Sequence, residues 1–102
     1  MREPFNKARG ETLLTIDGRN VRLCVTLGAL AELEAAFDVV SLSELGERLT
    51  QLTASDLIIV ISALTGAGEA HLTPAQIAAA QVDAKAAAKA VADAFRAAFD
   101  AA

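Results

Sequence analysis

The sequence has few residues that could cross-link the chain or hold a metal ion. Cys24 is the single cysteine and His71 the single histidine among 102 residues. One cysteine cannot form an internal disulfide, which is typical of a reducing cytoplasm. Together the two residues cannot supply the three or four ligands of a structural zinc site. We therefore expect a cytoplasmic protein without a bound metal or other cofactor.

Basic and aromatic residues are also scarce. Nine basic residues against thirteen acidic ones give a formal charge of −4, and only 4% of the residues are aromatic, with no tryptophan or tyrosine. Nucleic-acid-binding domains usually combine a basic patch with aromatic side chains. This composition argues against DNA or RNA as a partner.

Long apolar runs are missing as well. Crossing a bilayer takes roughly 18–20 consecutive apolar residues, whereas the longest candidate here, Leu57–Leu64, has the length of a core helix. The first ten residues, MREPFNKARG, lack the apolar stretch of a signal peptide. We expect a soluble protein that does not act on a membrane.

What the chain has in abundance is alanine, at 24 of its 102 residues, within a hydrophobic total of 54%. The length fits one domain, but each alanine buries little area, so we expect modest stability. Residues 1–10 are polar and show no periodicity, which predicts a flexible arm. Residues 11–102 then form a single domain.

A β-hairpin is predicted over residues 11–25, because Leu14, Ile16, Val21 and Leu23 alternate and can share one face. Asp17-Gly18 is a strong turn dipeptide. A two-residue turn there would pair Leu14 with Val21. A four-residue loop would instead pair Ile16 with Val21 and Leu14 with Leu23. We expect the four-residue loop, since it matches apolar residues across the strands.

Capping signals divide the remaining chain into helices. The predicted N-caps are Thr26, Ser41, Thr53, Thr73 and Asp83. The run Leu57–Leu64 would also suit a buried strand, but the cap before it and the helices around it favour a helix. The predicted fold class is α+β and mostly α, with an N-terminal β-hairpin followed by four or five short helices. Gly66–His71 is the predicted hinge.

Apolar spacing predicts which side of each early helix is buried. In the helix over residues 27–37, the expected core stripe contains Leu27, Leu30, Ala31, Leu33 and Phe37. The next helix, to about residue 50, is expected to bury Leu42, Leu45 and Leu49.

Several polar features are candidate sites of chemistry. Residues 66–69 have paired glycines but lack the Gly-Lys-Ser/Thr of a phosphate loop. His71 has no neighbouring nucleophile pattern, and Cys24 lacks the electropositive setting of a reactive thiol. The acidic stretch over residues 32–47 is expected to be a solvated face, or else a docking surface for a basic partner. No catalytic residue is predicted, and we expect no enzyme.

Two apolar helix faces remain as candidates for binding a partner. The central run is apolar nearly all round, and a helix of that kind is either central in the fold or covered by another chain. In the last helix, three large side chains recur every four residues, which fits either core packing or a helix laid into a partner's groove. The candidate partner-binding residues are Leu57, Val60, Ile61, Leu64, Val91, Phe95 and Phe99.

The run Val21–Glu34, VRLCVTLGALAELE, preceded by Asp17-Gly18-Arg19, resembles the gene transfer agent family of small phage-like proteins. These proteins are grouped with phage tail assembly chaperones and are also described as tail-tube-associated. The resemblance is closest over the hairpin and first helix and looser over Leu45–Leu64. In the alanine-rich remainder it is limited to the general type of sequence.

The resemblance implies a non-enzymatic assembly factor of a prophage-like tail, acting through protein–protein interaction. Such chaperones hold the helical tape-measure protein soluble until the tail tube forms around it. The alternative is a structural tail-tube component that self-assembles as a homo-oligomer, its hairpins pairing edge to edge. Either way, the expected partners are a tape-measure or tail-tube protein, with no nucleic acid and no membrane.

Overall fold

The computed structural model describes residues 11–66 and 70–100, and within these ranges two strands precede five helices. The elements are β1 (Glu11–Ile16), β2 (Arg19–Cys24), α1 (Leu27–Phe37), α2 (Leu42–Arg48), α3 (Ala54–Leu64), α4 (Pro74–Ala79) and α5 (Ala84–Asp100). This order confirms the predicted α+β, mostly α class, although α5 is longer than the short helices expected. The predicted arm lies outside the described residues, and the predicted hinge lies partly outside them.

The hairpin closes with a two-residue turn, so the expected four-residue loop is wrong. Leu14 pairs with Val21, while Leu23 pairs with Thr12 rather than with Leu14. Asp17 and Gly18 both adopt positive φ, 52° and 79°, and a tight turn of that kind matches the twist of the two strands. Turn geometry therefore outweighs apolar matching across the strands. The expected shared face does form, with three of its apolar residues buried and Val21 half-buried.

All five predicted N-caps form hydrogen bonds to the helix that follows. Thr53 and Thr73 build complete capping boxes with Asp56 and Gln76. Ser41 accepts from the Glu44 amide at 3.1 Å, but the reciprocal bond of the predicted box is not among the hydrogen bonds of the described residues. Thr26 caps α1 and Asp83 caps α5. These short-range bonds set where each helix begins.

Helix α3 lies at the centre of the fold and contacts α1, α4, α5 and β2. Its predicted helical state is confirmed. Helix α5 lies mainly against β1 and covers the apolar face of the hairpin. One continuous apolar cluster joins the hairpin, α1, α3 and α5, which gives the two-stranded sheet the support that an isolated hairpin lacks in water.

The turn of the hairpin is attached to the segment before α5. The Asp17 amide donates to the Gln81 carbonyl at 3.0 Å, and the Gln81 amide donates to the Asp17 carboxylate at 2.7 Å. This pair of bonds fixes the start of α5 beside the turn. Helix α5 therefore runs from the closed end of the hairpin towards its open end.

Two leucines and an alanine predicted to be buried lie at the surface instead. On α1 the core side carries Ala29, Leu30 and Leu33, whereas Leu27 is 82% exposed and Ala31 is also exposed. At about 100° per residue, Leu33 lies about 60° to one side of Leu30 and Leu27 about 60° to the other. The rest of the fold packs on the Leu33 side only.

On α2 the prediction is correct for one leucine out of three. Leu45 is buried, Leu49 is half-buried, and Leu42 is 50% exposed. Leu42 is the first residue of a seven-residue helix that packs mainly against α1. A helix this short presents about one buried position per turn to a single neighbour, so Leu42 remains outside the contact.

Candidate functional site

The structure divides the predicted partner-binding residues into core and surface, beginning with α3. Val60, Ile61 and Leu64 are at most 2% exposed and belong to the apolar cluster. Leu57 is half-buried. The three buried side chains hold the fold together, so α3 offers a partner only the region around Leu57.

Helix α5 shows the same division along one stripe. Val91 and Phe95 are buried, at 3% and 9% exposure, whereas Phe99 is 56% exposed. The rings of Phe95 and Phe99 are stacked, with centroids 6.1 Å apart and planes 7° from parallel. The stack places the exposed ring of Phe99 against the buried ring of Phe95, so an aromatic contact supports Phe99 from within its own helix.

The position of Phe99 follows from the direction of α5. From Ala84 to Phe99 the helix advances about 22 Å, while β1 spans about 17 Å. Since α5 starts beside the turn and packs mainly on β1, this length carries Phe99 away from the turn and towards the open end of the hairpin. Leu27, at the start of α1 just after β2, comes from that same open end.

Within the described ranges, three large apolar residues besides Phe99 are exposed, and the sequence did not identify them as surface residues. These are Leu27 at 82%, Val40 at 85% and Leu42 at 50% exposure. Val40 lies in the connection after α1 and Leu42 begins α2. Helix α1 ends where Asp38 adopts a left-handed conformation with φ 55°. A left-handed residue commonly ends a helix, so Val40 lies beyond the helical stripe from which burial was predicted.

An ion pair that the sequence did not reveal joins α2 to α3. Arg48 lies 2.7 Å from the Asp56 carboxylate, donates to the Gln51 carbonyl at 3.0 Å, and covers the Phe37 ring at 4.7 Å from its centroid. The hydrogen bond from Arg48 lowers the pKa of Asp56, with further lowering from the Thr53 amide. Arg48 thus connects three elements and serves the fold rather than chemistry.

His71 takes part in a structural network at the end of α3. The buried Thr65 hydroxyl donates to the Ser62 carbonyl at 2.7 Å, accepts from the Leu72 amide at 3.0 Å, and lies 3.3 Å from His71 Nδ1. The Ser62 hydroxyl donates to the Leu72 carbonyl at 2.7 Å. These bonds attach the chain before α4 to α3, which accounts for the polar side chains at this position.

The acidic stretch does not converge on a site. Glu32, Asp38, Glu44 and Glu47 are exposed and Glu34 is half-buried. Across residues 11–66 and 70–100 no group of three or more histidine, cysteine, aspartate or glutamate side chains is arranged to hold a metal ion. Nor does any helix of these ranges combine the length and apolar character that crossing a membrane requires. Surface apolar residues remain the best-supported candidates for function.

Comparison with known proteins identifies a family for this chain. Residues 9–101 match the family model described as phage tail tube protein, GTA-gp10. No curated protein and no solved structure shows a significant match. The family match spans nearly the whole chain, including the hairpin and every helix.

Proposed function

The chain belongs to the phage tail tube protein family GTA-gp10, and from this premise we propose that it is a tail assembly chaperone of a phage-like gene transfer agent. In this role it is not an enzyme. It works in the cytoplasm and binds an apolar face of a helical client, the tape-measure protein, before the tail tube surrounds that client. The surface that binds the client is centred on Phe99.

The exposed Phe95–Phe99 stack is the observation that supports this proposal. Aromatic rings supported by their neighbours bind partners at low entropic cost, and phenylalanine is among the residues enriched at interfaces. A ring 56% exposed on a helix otherwise packed against the hairpin has room for a further apolar contact. Leu27, from the same end of the hairpin, can extend the contact.

The test is co-expression with the tape-measure protein encoded in the same gene cluster, with Phe99→Ser and Val40→Ser as the matched variants. Val40 is an exposed apolar residue beyond the far end of α1 from Leu27, so it serves as the control. We expect Phe99→Ser to retain about tenfold less client, as for an interface residue whose truncation costs about 1.4 kcal/mol. Val40→Ser should retain as much as the wild type.

Thermal unfolding of each purified variant shows whether the fold is intact. If Phe99→Ser stays folded and still retains the client at the wild-type level, the proposed surface is wrong. If Val40→Ser loses the client to the same extent, the contact is not centred on Phe99.

The alternative function is a structural tail-tube component that self-assembles. Its supporting observation is that the hairpin has only two strands within the described residues, so both of its outer edges are candidates for pairing with another copy. Sedimentation at rising protein concentration separates the two functions. A stable monomer or dimer supports the chaperone, and a closed ring supports the tube component.

A further inference from the structure

A groove of about 580 Å³ runs along the outer edge of β2. Its lining contains four consecutive residues of the strand, 19–22, with Ile16 and Asp17 at the turn, and residues 70–80 of the segment around α4 contribute Leu72, Ala79 and Ala80. Consecutive strand residues point alternately to the two faces of a sheet. A cavity lined by all four therefore lies along the edge of the sheet and not on a face. We call it the edge groove.

The backbone at this edge has unused hydrogen-bonding groups. In a hairpin with a two-residue turn, the pair of residues next to the turn is joined by backbone hydrogen bonds, and the following pair directs its N–H and C=O groups outward. Bonded and outward pairs then alternate along the two strands. The register places Asn20 and Arg22 of β2 in the outward set. Among the described residues, no backbone or side-chain group bonds to these outward N–H and C=O groups. The edge groove thus presents two donors and two acceptors.

The opposite wall leaves space for an added strand. Ala79 and Ala80 carry only methyl groups, and Leu72 supplies an apolar contact. The volume of the groove lies within the roughly 300–1,000 Å³ of ordinary ligand clefts. An extended segment could bond to the β2 edge on one side and place alternate side chains against α4 on the other, as in β-strand addition.

Charge identifies the occupant. The whole chain carries −4, yet Arg19 and Arg22 line the edge groove. Arg19 forms no ion pair with any residue that the structure describes, and Arg22 is 60% exposed at 3.9 Å from Glu11. Asp17 also lines the groove, and its carboxylate accepts a hydrogen bond from the neutral Gln81 amide, so two arginine charges face one carboxylate there. We propose that the edge groove binds an extended acidic segment of a partner protein as a third strand.

Two other occupants fit the charge less well. The segment 1–10 of this chain carries Arg2, Lys7 and Arg9 against Glu3, so it has the same sign as the groove. In a second copy, β1 brings only Glu11 as an acidic residue. The inference does not depend on the proposed helical client, because that client is expected at Phe99.

The test uses the acetylated and amidated hexapeptide of alternating glutamate and valine as the probe, with the lysine–valine hexapeptide as its charge control. Binding is followed by amide chemical shifts in the full-length protein. We expect saturable shifts at Asn20 and Arg22 with the acidic peptide, and none with the basic one. Absence of binding to the acidic peptide, equal binding of both peptides, or shifts confined to other regions would overturn the proposal.

Matched variants separate edge pairing from a general effect on the hairpin. Asn20→Pro removes an outward amide beside the groove, and Thr15→Pro removes the outward amide of its cross-strand partner on the opposite edge. Proline is tolerated at such outward positions, and both variants lose the same Thr15–Asn20 side-chain bond. We expect affinity for the acidic peptide to fall about fivefold for Asn20→Pro, as for one lost hydrogen bond. Thr15→Pro should bind normally.

Charge variants complete the test without altering the backbone. Arg19→Glu should weaken acidic-peptide binding, whereas Lys85→Glu, on the exposed face of α5, and Phe99→Ser should not. If deletion of residues 1–10 strongly tightens binding, that segment occupies the groove. If the wild type self-associates but does not bind the acidic peptide, and Asn20→Pro no longer self-associates, a second copy of the chain occupies the edge groove. Either result overturns the proposed occupant.

Discussion

The two stacked phenylalanines of α5 should respond very differently to truncation. Phe95 is 9% exposed within the apolar cluster, and Phe→Ala at such positions costs about 3–5 kcal/mol. Phe99 is 56% exposed, so less than half of the roughly 1.5–3 kcal/mol for burying a phenylalanine is at stake. Alanine's better helix propensity offsets part of that loss. We expect Phe95→Ala to cost about 3–5 kcal/mol and Phe99→Ala about 0.5–1 kcal/mol.

Urea and thermal unfolding of the wild type and both variants measure this difference. At about 4–8 °C per kcal/mol for a chain of this size, Phe95→Ala lowers Tm by about 12–40 °C and Phe99→Ala by at most about 8 °C. Equal losses of stability at the two positions would refute the division of α5 into a core part and a surface part. The role of Phe99 in binding a client would then have no structural basis.

Two further predictions concern the fold. Leu33→Ala should cost about 2–5 kcal/mol, whereas Leu27→Ala on the same helix should change the free energy of unfolding by less than about 0.5 kcal/mol; similar costs in urea unfolding would contradict the assigned core side of α1. Arg48→Met should destabilise the protein at pH 7, and its difference from the wild type should shrink as the pH falls below about 4. The reason is that the pKa of Asp56 is lowered in the fold, so its stabilisation is present above the unfolded pKa and is lost on protonation. A difference that stays constant down to pH 2 in acid unfolding experiments would show that the ion pair does not contribute.

Local signals in the sequence predicted the elements of the fold. Each N-cap acts within the first turn of its own helix, so Thr26, Thr53 and Thr73 could be identified without knowing their neighbours in space. The position of the turn at Asp17-Gly18 was also local. Its length was predicted wrongly because apolar matching across the strands was given more weight than the positive φ that both residues adopt.

The candidate surface was only partly predictable, because apolar spacing shows which residues avoid water but not what covers them. Phe95 and Phe99 occupy equivalent positions on one stripe, yet one is buried and the other exposed. Leu27 belongs to an apolar stripe wider than the neighbouring elements can cover. The Arg48–Asp56 pair joins residues on different helices, and nothing in their spacing indicates that the two would meet.

The sequence by itself determined where the strands and helices begin, since caps and turns depend on atoms within about four residues. The sequence also determined the family, because the family model matches residues 9–101 directly. Only the tertiary structure decided which apolar residues remain at the surface and which strand edge faces a groove. Burial depends on the distance and direction of distant segments, as with Asp17 and Gln81, which are 64 residues apart and joined by two hydrogen bonds.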